Sequence, residues 1–211
     1  MAAPLLCRPE HSGLVFEQLA ADQVDEALDV LEDAAAWLAS QGIVQWPASF
    51  RRPTPADVHQ DYSATLHTAA MAGELWVLRD QTTHRAVGTI AITDQIDADF
   101  AAHWPGGPGD ASYLSRLAVR REAAGNQLGG LLLDGGARVA SSAGTRWVRL
   151  HCAKRNPRLQ EYYLSQGFRH ITTVDLPHRK SGALFERPAY QLRLDPNDPG
   201  EGYVVVLHDV H

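Results

Sequence analysis

The stretch "SYLSRLAVRREAAGNQLGGLLLDGGARVA" (residues 112–140) decides the fold. It opens as an apolar, strand-like run and closes as an apolar, helix-like one, with "AGNQLGG" (124–130) between them. A strand feeding a glycine-containing turn and then a helix offers unpaired first-turn N–H groups and the positive end of the helix dipole, which together attract pyrophosphate. Glycine matters there because a backbone without Cβ lets phosphate oxygens approach closely. Taken alone, the seven residues read equally as a phosphate loop and as a tight turn. The strand-like "RWVRLHC" (146–152) follows and completes a strand–helix–strand crossover.

Upstream, "ELWVLRD" (74–80) and "AVGTIAITD" (86–94), separated by the polar "QTTHR" (81–85), predict an antiparallel hairpin. Before it, residues 15–19 read as a short strand. The run 22–42 then places Val24, Leu28, Leu31, Ala35 and Leu38 at helical spacing, with Asp22 as cap and Gly42 as stop. "IVQWPASFRRP" (43–53) is a loop, after which Thr54 as cap and Pro55 at the first position open a second helix, with Val58, Tyr62, Leu66 and Ala69 as its buried stripe. Downstream, "QIDADFAAHWPGGPGD" (95–110) is a loop and "PRLQEYYLSQG" (157–167) a short helix ended by Gly167. "HITTVDL" (170–176) and "AYQLRL" (189–194) read as late strands, and "GYVVVLHDV" (202–210) as one more after the "DPNDPGEG" turn. No internal repeat is visible. Hairpins plus one crossover predict an α/β (α+β) fold: a mixed, mostly antiparallel sheet with helices on both faces.

The 211 residues suit a single domain over 1–211, and no linker interrupts them. With 45% hydrophobic and 21% charged residues, the chain is not one of the largely disordered ones. The formal charge of −6 argues against nucleic acid as a partner and suits a cationic small substrate. "MAAPLLCRPEH" has too short an apolar run for a signal peptide, and no stretch reaches membrane-spanning length; the expected compartment is the cytoplasm, with no membrane partner. Cys7 and Cys152 lie far apart and read as two reduced thiols. The ten histidines are scattered, and the "HDVH" of 208–211 has ligand-like spacing without companions, so no metal is expected.

"NPRLQEYYLSQGF" (156–168) adds the more specific pattern: from Asn156, residues Leu159, Tyr163, Gly167 and Phe168 stand at offsets of three, seven, eleven and twelve. With the segment before it, this run resembles the GNAT superfamily of acetyl-CoA-dependent N-acetyltransferases, of the bacterial small-molecule type. That family's typical order is a strand ending in "LxV", a "Q/R-x-x-G-x-G/A" loop and helix, a strand, and "N-x-x-A-x-x-x-Y-x-x-x-G-F". The counterparts here are "LAV" at 117–119, the loop from Ala124, the strand 146–152 and the run 156–168. The resemblance covers residues 112–168, a cofactor-binding core followed by C-terminal strands over about 169–211.

The resemblance implies acetyl-CoA as acyl donor. It implies that the backbone of Leu117, Ala118 and Val119 pairs with the pantetheine arm, with an amide near Val119 stabilising the oxyanion. The amides of Ala124, Gly125, Asn126, Gln127, Leu128, Gly129 and Gly130 would hold the pyrophosphate, and Asn156 would lie near the pantetheine. Tyr163 resembles the family's general acid, protonating the departing thiolate, a sensible role for a phenol of pKa about 10. Tyr162 points about 100° away on a helix and is expected in the core. The chain departs from the family where its Gln or Arg falls at Ala124 and its first motif glycine at Gln127; Gly129 matches. Arg120 and Arg121 are placed to supply replacement charge, and a Cβ at Gln127 narrows the turn.

Attack on a thioester requires a neutral amine, so an ammonium acceptor must lose a proton. The strand before the loop offers only Tyr113 and Ser115, and Ser115 suits the positioning of a water. His151 on the next strand is a candidate base or an imidazole satisfied by a neighbour. Asp94, Asp97 and Asp99 either bind a cation, act as base, or are solvated loop residues. Among relatives a segment like "GIVQWP" lines the acceptor site, which makes Gln45 and Trp46 substrate-side candidates, Trp46 equally a core anchor; Trp104 is a weaker candidate. The expected activity is direct acetyl transfer to a primary amine of a small cationic molecule, an amine antibiotic such as an aminoglycoside being one instance and a polyamine, an amino acid or a protein N-terminus others. The alternatives are an enzyme using a longer acyl-CoA, and a non-catalytic CoA-binding module whose "YVVVL" tail pairs edge to edge in a homodimer.

Overall fold

The computed structural model describes residues 13–43, 45–52 and 61–190 and the backbone of 204–206, in two compact units. The first takes in the residues up to Ala91, Arg116–Leu132 and the segment 204–206. Its strands are β1 (Leu14–Gln18), β2 (Leu75–Asp80), β3 (Ala86–Thr93, to Ala91) and the second half of β4 (Ala111–Val119). β1 and β2 pair antiparallel, Phe16 opposite Leu78, and so do β2 and β3, Trp76 opposite Ile90. The "YVVVL" tail supplies β8 (Val204–Val206), which pairs parallel with β1, Val15 opposite Val204.

Helix α1 (Val24–Ser40) buries Val24, Leu28, Leu31 and Ala35, the stripe expected from their spacing, and Gly42 ends it at φ 72°. Its start differs from expectation: Asp22 lies in a 3₁₀ turn (Ala21–Gln23) and makes no cap, because the chain tightens before α1 begins. Thr54, Pro55 and Val58 fall outside the described residues. Helix α2 (Tyr62–Met71) is capped by Asp61, whose carboxylate accepts from Ala64 N at 2.9 Å, and buries Leu66 and Ala70. Phe50, Leu75 and Val77 close the core of this unit between the helices and the sheet.

The second unit holds Ile92–Ser115 and residues 133–190. The start of β4 runs parallel to β5 (Trp147–Ala153), Ala111 opposite Trp147 and Tyr113 opposite Arg149. β5 pairs antiparallel with β7 (Ser181–Pro188), and β7 with β6 (Arg169–Thr173). The ladders are thus mixed and mostly antiparallel, as the hairpin and crossover pattern predicts. Helix α3 (Leu128–Ser142) enters this unit at Leu133, and α4 (Pro157–Ser165) lies wholly within it.

The strand expected at 189–194 is displaced: β7 is "SGALFERP", Ala189 and Tyr190 form a turn, and 191–194 fall outside the described residues. The reason is electrostatic. Glu186 and Arg187 are each about 1% exposed, Glu186 paired with Arg149 (3.0 Å) and with Arg169, and Arg187 with Asp134 (2.8 Å). A charge enters a core when an opposite charge and directed hydrogen bonds meet it there.

Candidate active site

The candidate residues fall into two groups, one in each unit. In the first, Arg116 adopts φ 54° inside β4, a left-handed residue that breaks the pleat in the manner of a bulge, and Leu117, Ala118 and Val119 follow. Ala118 is buried; Leu117 and Val119 are half-buried. A Cβ on Gly88 would stand 2.8 Å from Leu132 Cδ1 and 3.2 Å from the Ala118 carbonyl, so a glycine in β3 is what lets α3 and β4 lie this close.

Arg120 N donates to Val87 O (2.9 Å), a 3₁₀ turn covers Arg121–Ala123, and the loop Ala124, Gly125, Asn126, Gln127 leads into Leu128, Gly129 and Gly130, the first turn of α3. Gly125 holds φ 93° with open space around the position of a Cβ, and Gln127 holds φ 57°. The chain thus makes a left-handed turn at a glutamine, its backbone taking that course with a Cβ present. Among the described residues the N–H groups of Gly125, Asn126, Leu128 and Gly129 meet no acceptor. Such a donor set at a helix start fits the oxygens of a pyrophosphate. The arginine side chains upstream make contacts of their own. Arg120 Nε donates to Ala86 O (2.8 Å) and its guanidinium faces Asp29 (3.8 Å), while Arg121 lies over the Trp37 ring (4.2 Å).

Gln45 and Trp46 are half-buried in the same unit. Trp46 meets Phe50 edge to face (5.6 Å) and Phe50 meets Tyr62 likewise (5.3 Å), giving an aromatic row that ends under the Arg116 guanidinium, 5.4 Å from the Tyr62 centroid. Glu32 on α1 fixes the segment after Trp46: one carboxylate oxygen accepts from Ser49 Oγ (2.7 Å), Phe50 N (2.8 Å) and Arg51 N (3.1 Å). Arg116 and Glu32 carry no sequence signal for these places, since an arginine in a strand and a glutamate in a helix are ordinary.

The second group centres on α4. Asn156 caps the helix, its side-chain oxygen accepting from Leu159 N (3.1 Å), with Pro157 at the first position. Tyr163 is the buried tyrosine and Tyr162 the half-buried one, the reverse of the expected pair, because α4 turns residue 163 toward Phe168 and Phe185 (5.9 and 5.8 Å between ring centroids). Burial, with Cys152 and Tyr162 beside it, pushes the Tyr163 phenol far above the usual tyrosine value. Burial likewise pushes the Cys152 thiol up to about 12.

His151 Nε2 stands 3.6 Å from an Asp97 carboxylate oxygen, with the Phe100 ring against the imidazole (4.7 Å). Asp97 and Asp99 are not merely solvated. Asp97 pairs with Arg179, and Asp99 with His178 (3.1 Å) and Arg179 (2.9 Å), the histidine's hydrogen bond foremost in holding its carboxyl below the usual range. Asp94 is exposed beside Gln95, and Ser115 is half-buried in β4. Trp104 is a core residue, 5% exposed, edge-on to Tyr113 (6.0 Å) and beneath the Arg149 guanidinium (5.0 Å). Cys7 and the "HDVH" segment lie outside the described residues.

The Acetyltransferase (GNAT) family model matches residues 32–168, more than half of the chain. No curated protein matches the sequence. Solved structures match in fold at low identity. A GNAT-family acetyltransferase from Listeria monocytogenes 4b F2365 is 18% identical with a TM-score of 0.63, covering 83% of this chain and 94% of that one. One from Streptococcus agalactiae 2603 is 15% identical with a TM-score of 0.63, over 83% and 95%. The PaiA N-acetyltransferase from Thermoplasma acidophilum, solved in complex with coenzyme A, is 14% identical with a TM-score of 0.60, over 83% and 98%. The chain belongs to the GNAT acetyltransferase family. It is an acetyl-CoA-dependent acetyltransferase, which decides against the reading as a non-catalytic module. Among the described residues no helix is long and apolar enough to cross a membrane.

Proposed function

We propose that the enzyme moves an acetyl group directly from acetyl-CoA to a primary amine of a small cationic molecule, in the cytoplasm. The observation that carries the direct route is the pair Tyr163 and Cys152. Cys152, with its thiol pushed up to about 12, stays protonated near neutral pH and offers no thiolate to take up the acetyl group. Tyr163, protonated throughout the same range, is suited to give its proton to the departing sulfur. Acetyl-CoA, when bound, supplies the activated acetyl group as a thioester.

The remaining roles follow from the chemistry of each group. The free amides of Gly125, Asn126, Leu128 and Gly129 hold the pyrophosphate, with Gln127 turning the chain between them. Leu117, Ala118 and Val119 offer strand backbone to the pantetheine, with Asn156 nearby. His151, 3.6 Å from Asp97, serves as the base that takes the amine's proton. Gln45 and Trp46 contact the acceptor. The charge of −6 and the Trp46–Phe50–Tyr62 row support a cationic acceptor, since cations are drawn to acidic surfaces and aromatic faces.

Thiol release from acetyl-CoA across a panel of spermidine, lysine, an aminoglycoside such as kanamycin and a peptide with a free N-terminus tests the reading. The highest kcat/KM is expected for a small polycation. A preference for the peptide or for an uncharged amine overturns the acceptor class.

A further inference from the structure

We infer that Arg187, held by Asp134, is a positioning residue for Tyr163. The inference rests on the reading of Tyr163 as the acid. Arg187 is about 1% exposed on β7, and its guanidinium reaches two helices at once. One nitrogen donates to the carbonyl of Gln166 (2.8 Å), the residue that closes α4. The other donates to the Asp134 carboxylate (2.8 Å) and to Leu133 O (3.3 Å) on α3.

From there the links to Tyr163 are short. Gln166 N and Phe168 N both donate to the Tyr163 carbonyl, each at 3.1 Å. The face of Arg187 lies over Phe168 (4.9 Å to the centroid), whose ring packs edge-on against the Tyr163 ring. Phe185, two residues before Arg187 on the same strand, packs on the Tyr163 ring as well. One guanidinium thus fixes both the carbonyl that ends the helix and a wall of the tyrosine's pocket.

A buried ion pair adds little stability over a well-packed apolar pair, because desolvation offsets the attraction. What Arg187 adds that an apolar residue lacks is direction: a rigid planar fork with bonds to fixed points on α3 and α4. A general acid is sensitive to placement on the scale of an ångström. Such a fork is therefore suited to holding the helix that bears one.

The test uses the full chain and the double substitution Asp134→Leu with Arg187→Met, which removes both partners of the pair. Thiol release is followed with the fastest acceptor of the panel above, water included. Expected are a melting temperature within a few degrees of the parent, an unchanged KM for acetyl-CoA, and a kcat lowered about tenfold or more. In a Tyr163→Phe background the same pair of substitutions is expected to lower kcat no further. A kcat within twofold of the parent overturns the inference, and so does a loss that adds undiminished to that of Tyr163→Phe. Full turnover by Tyr163→Phe alone overturns the acid assignment and the positioning role with it, which separates the two failures. Should the double variant not fold, Arg187→Lys, which keeps the charge beside Asp134 but lacks the fork, is measured against the same criteria.

Discussion

The carbonyl of Gln127 accepts the N–H of Gly130 at 2.9 Å and that of Leu131 at 3.2 Å while Gln127 itself sits at φ 57°. The helix start is thus nucleated by a residue in a conformation that costs an L side chain roughly 1–2 kcal/mol.

Gln127→Gly relieves that cost, and the larger entropy lost by glycine on folding offsets part of it, leaving a net gain of up to about 1 kcal/mol. Gln127→Val, β-branched at the same φ, moves stability the other way. Thermal melts of both variants check the order. Because the amides do not depend on the side chain, calorimetric titration is expected to give Gln127→Gly a CoA affinity at least equal to the parent's.

Asn156→Ala removes the cap of α4 and is expected to cost about 0.5–2 kcal/mol in urea denaturation. Asn156→Asp, which keeps an acceptor at the cap, is expected to recover most of that loss.

Tyr163→Phe removes the proton donor without altering the ring contacts to Phe168 and Phe185. A fall in kcat of about 10²–10⁴ is expected, with KM for acetyl-CoA little changed. With its pKa raised by burial, the protonated phenol persists as pH rises past the ordinary value of 10. The parent's kcat profile is therefore expected to show no descending limb near pH 10 from this group, and its appearance there would assign Tyr163 an exposed phenol.

Cys152, buried and with its thiol pushed up to about 12, is expected to resist iodoacetamide at pH 8 in the folded protein and to react fully once urea unfolds it. Peptide mapping by mass spectrometry reads the modification at this residue. Labelling of the native protein that also abolishes turnover would count against its inert role.

Sequence periodicity was a good guide where one face of an element is apolar and the other polar. The hairpin β2–β3, the stripe of α1 and the Asn156-to-Phe168 run were legible for that reason. β7 was not, because Glu186 and Arg187 face partners 37 and 53 residues away in the chain, and charged residues carry no sign of burial until both halves of the pair are seen. The 100° between Tyr162 and Tyr163 was right as geometry, but spacing alone leaves open which of the two faces inward. In the candidate site, the loop and α4 were readable as motifs, whereas the aromatic row joining Trp46 to Tyr62 and the engagement of Asp97 by Arg179 arise only when separate segments meet.

The parallel pairing of β8 with β1 joins Val15 to Val204, nearly two hundred positions apart. On the ribosome β1 emerges before any other described strand, so its outer margin stays open while all the intervening chain is made. A strand margin left bare that long is a hazard for pairing with a neighbouring nascent chain, and closing so long a loop is slow. Removal of the last few strand residues would therefore be felt first in the yield of soluble protein, before any effect on turnover.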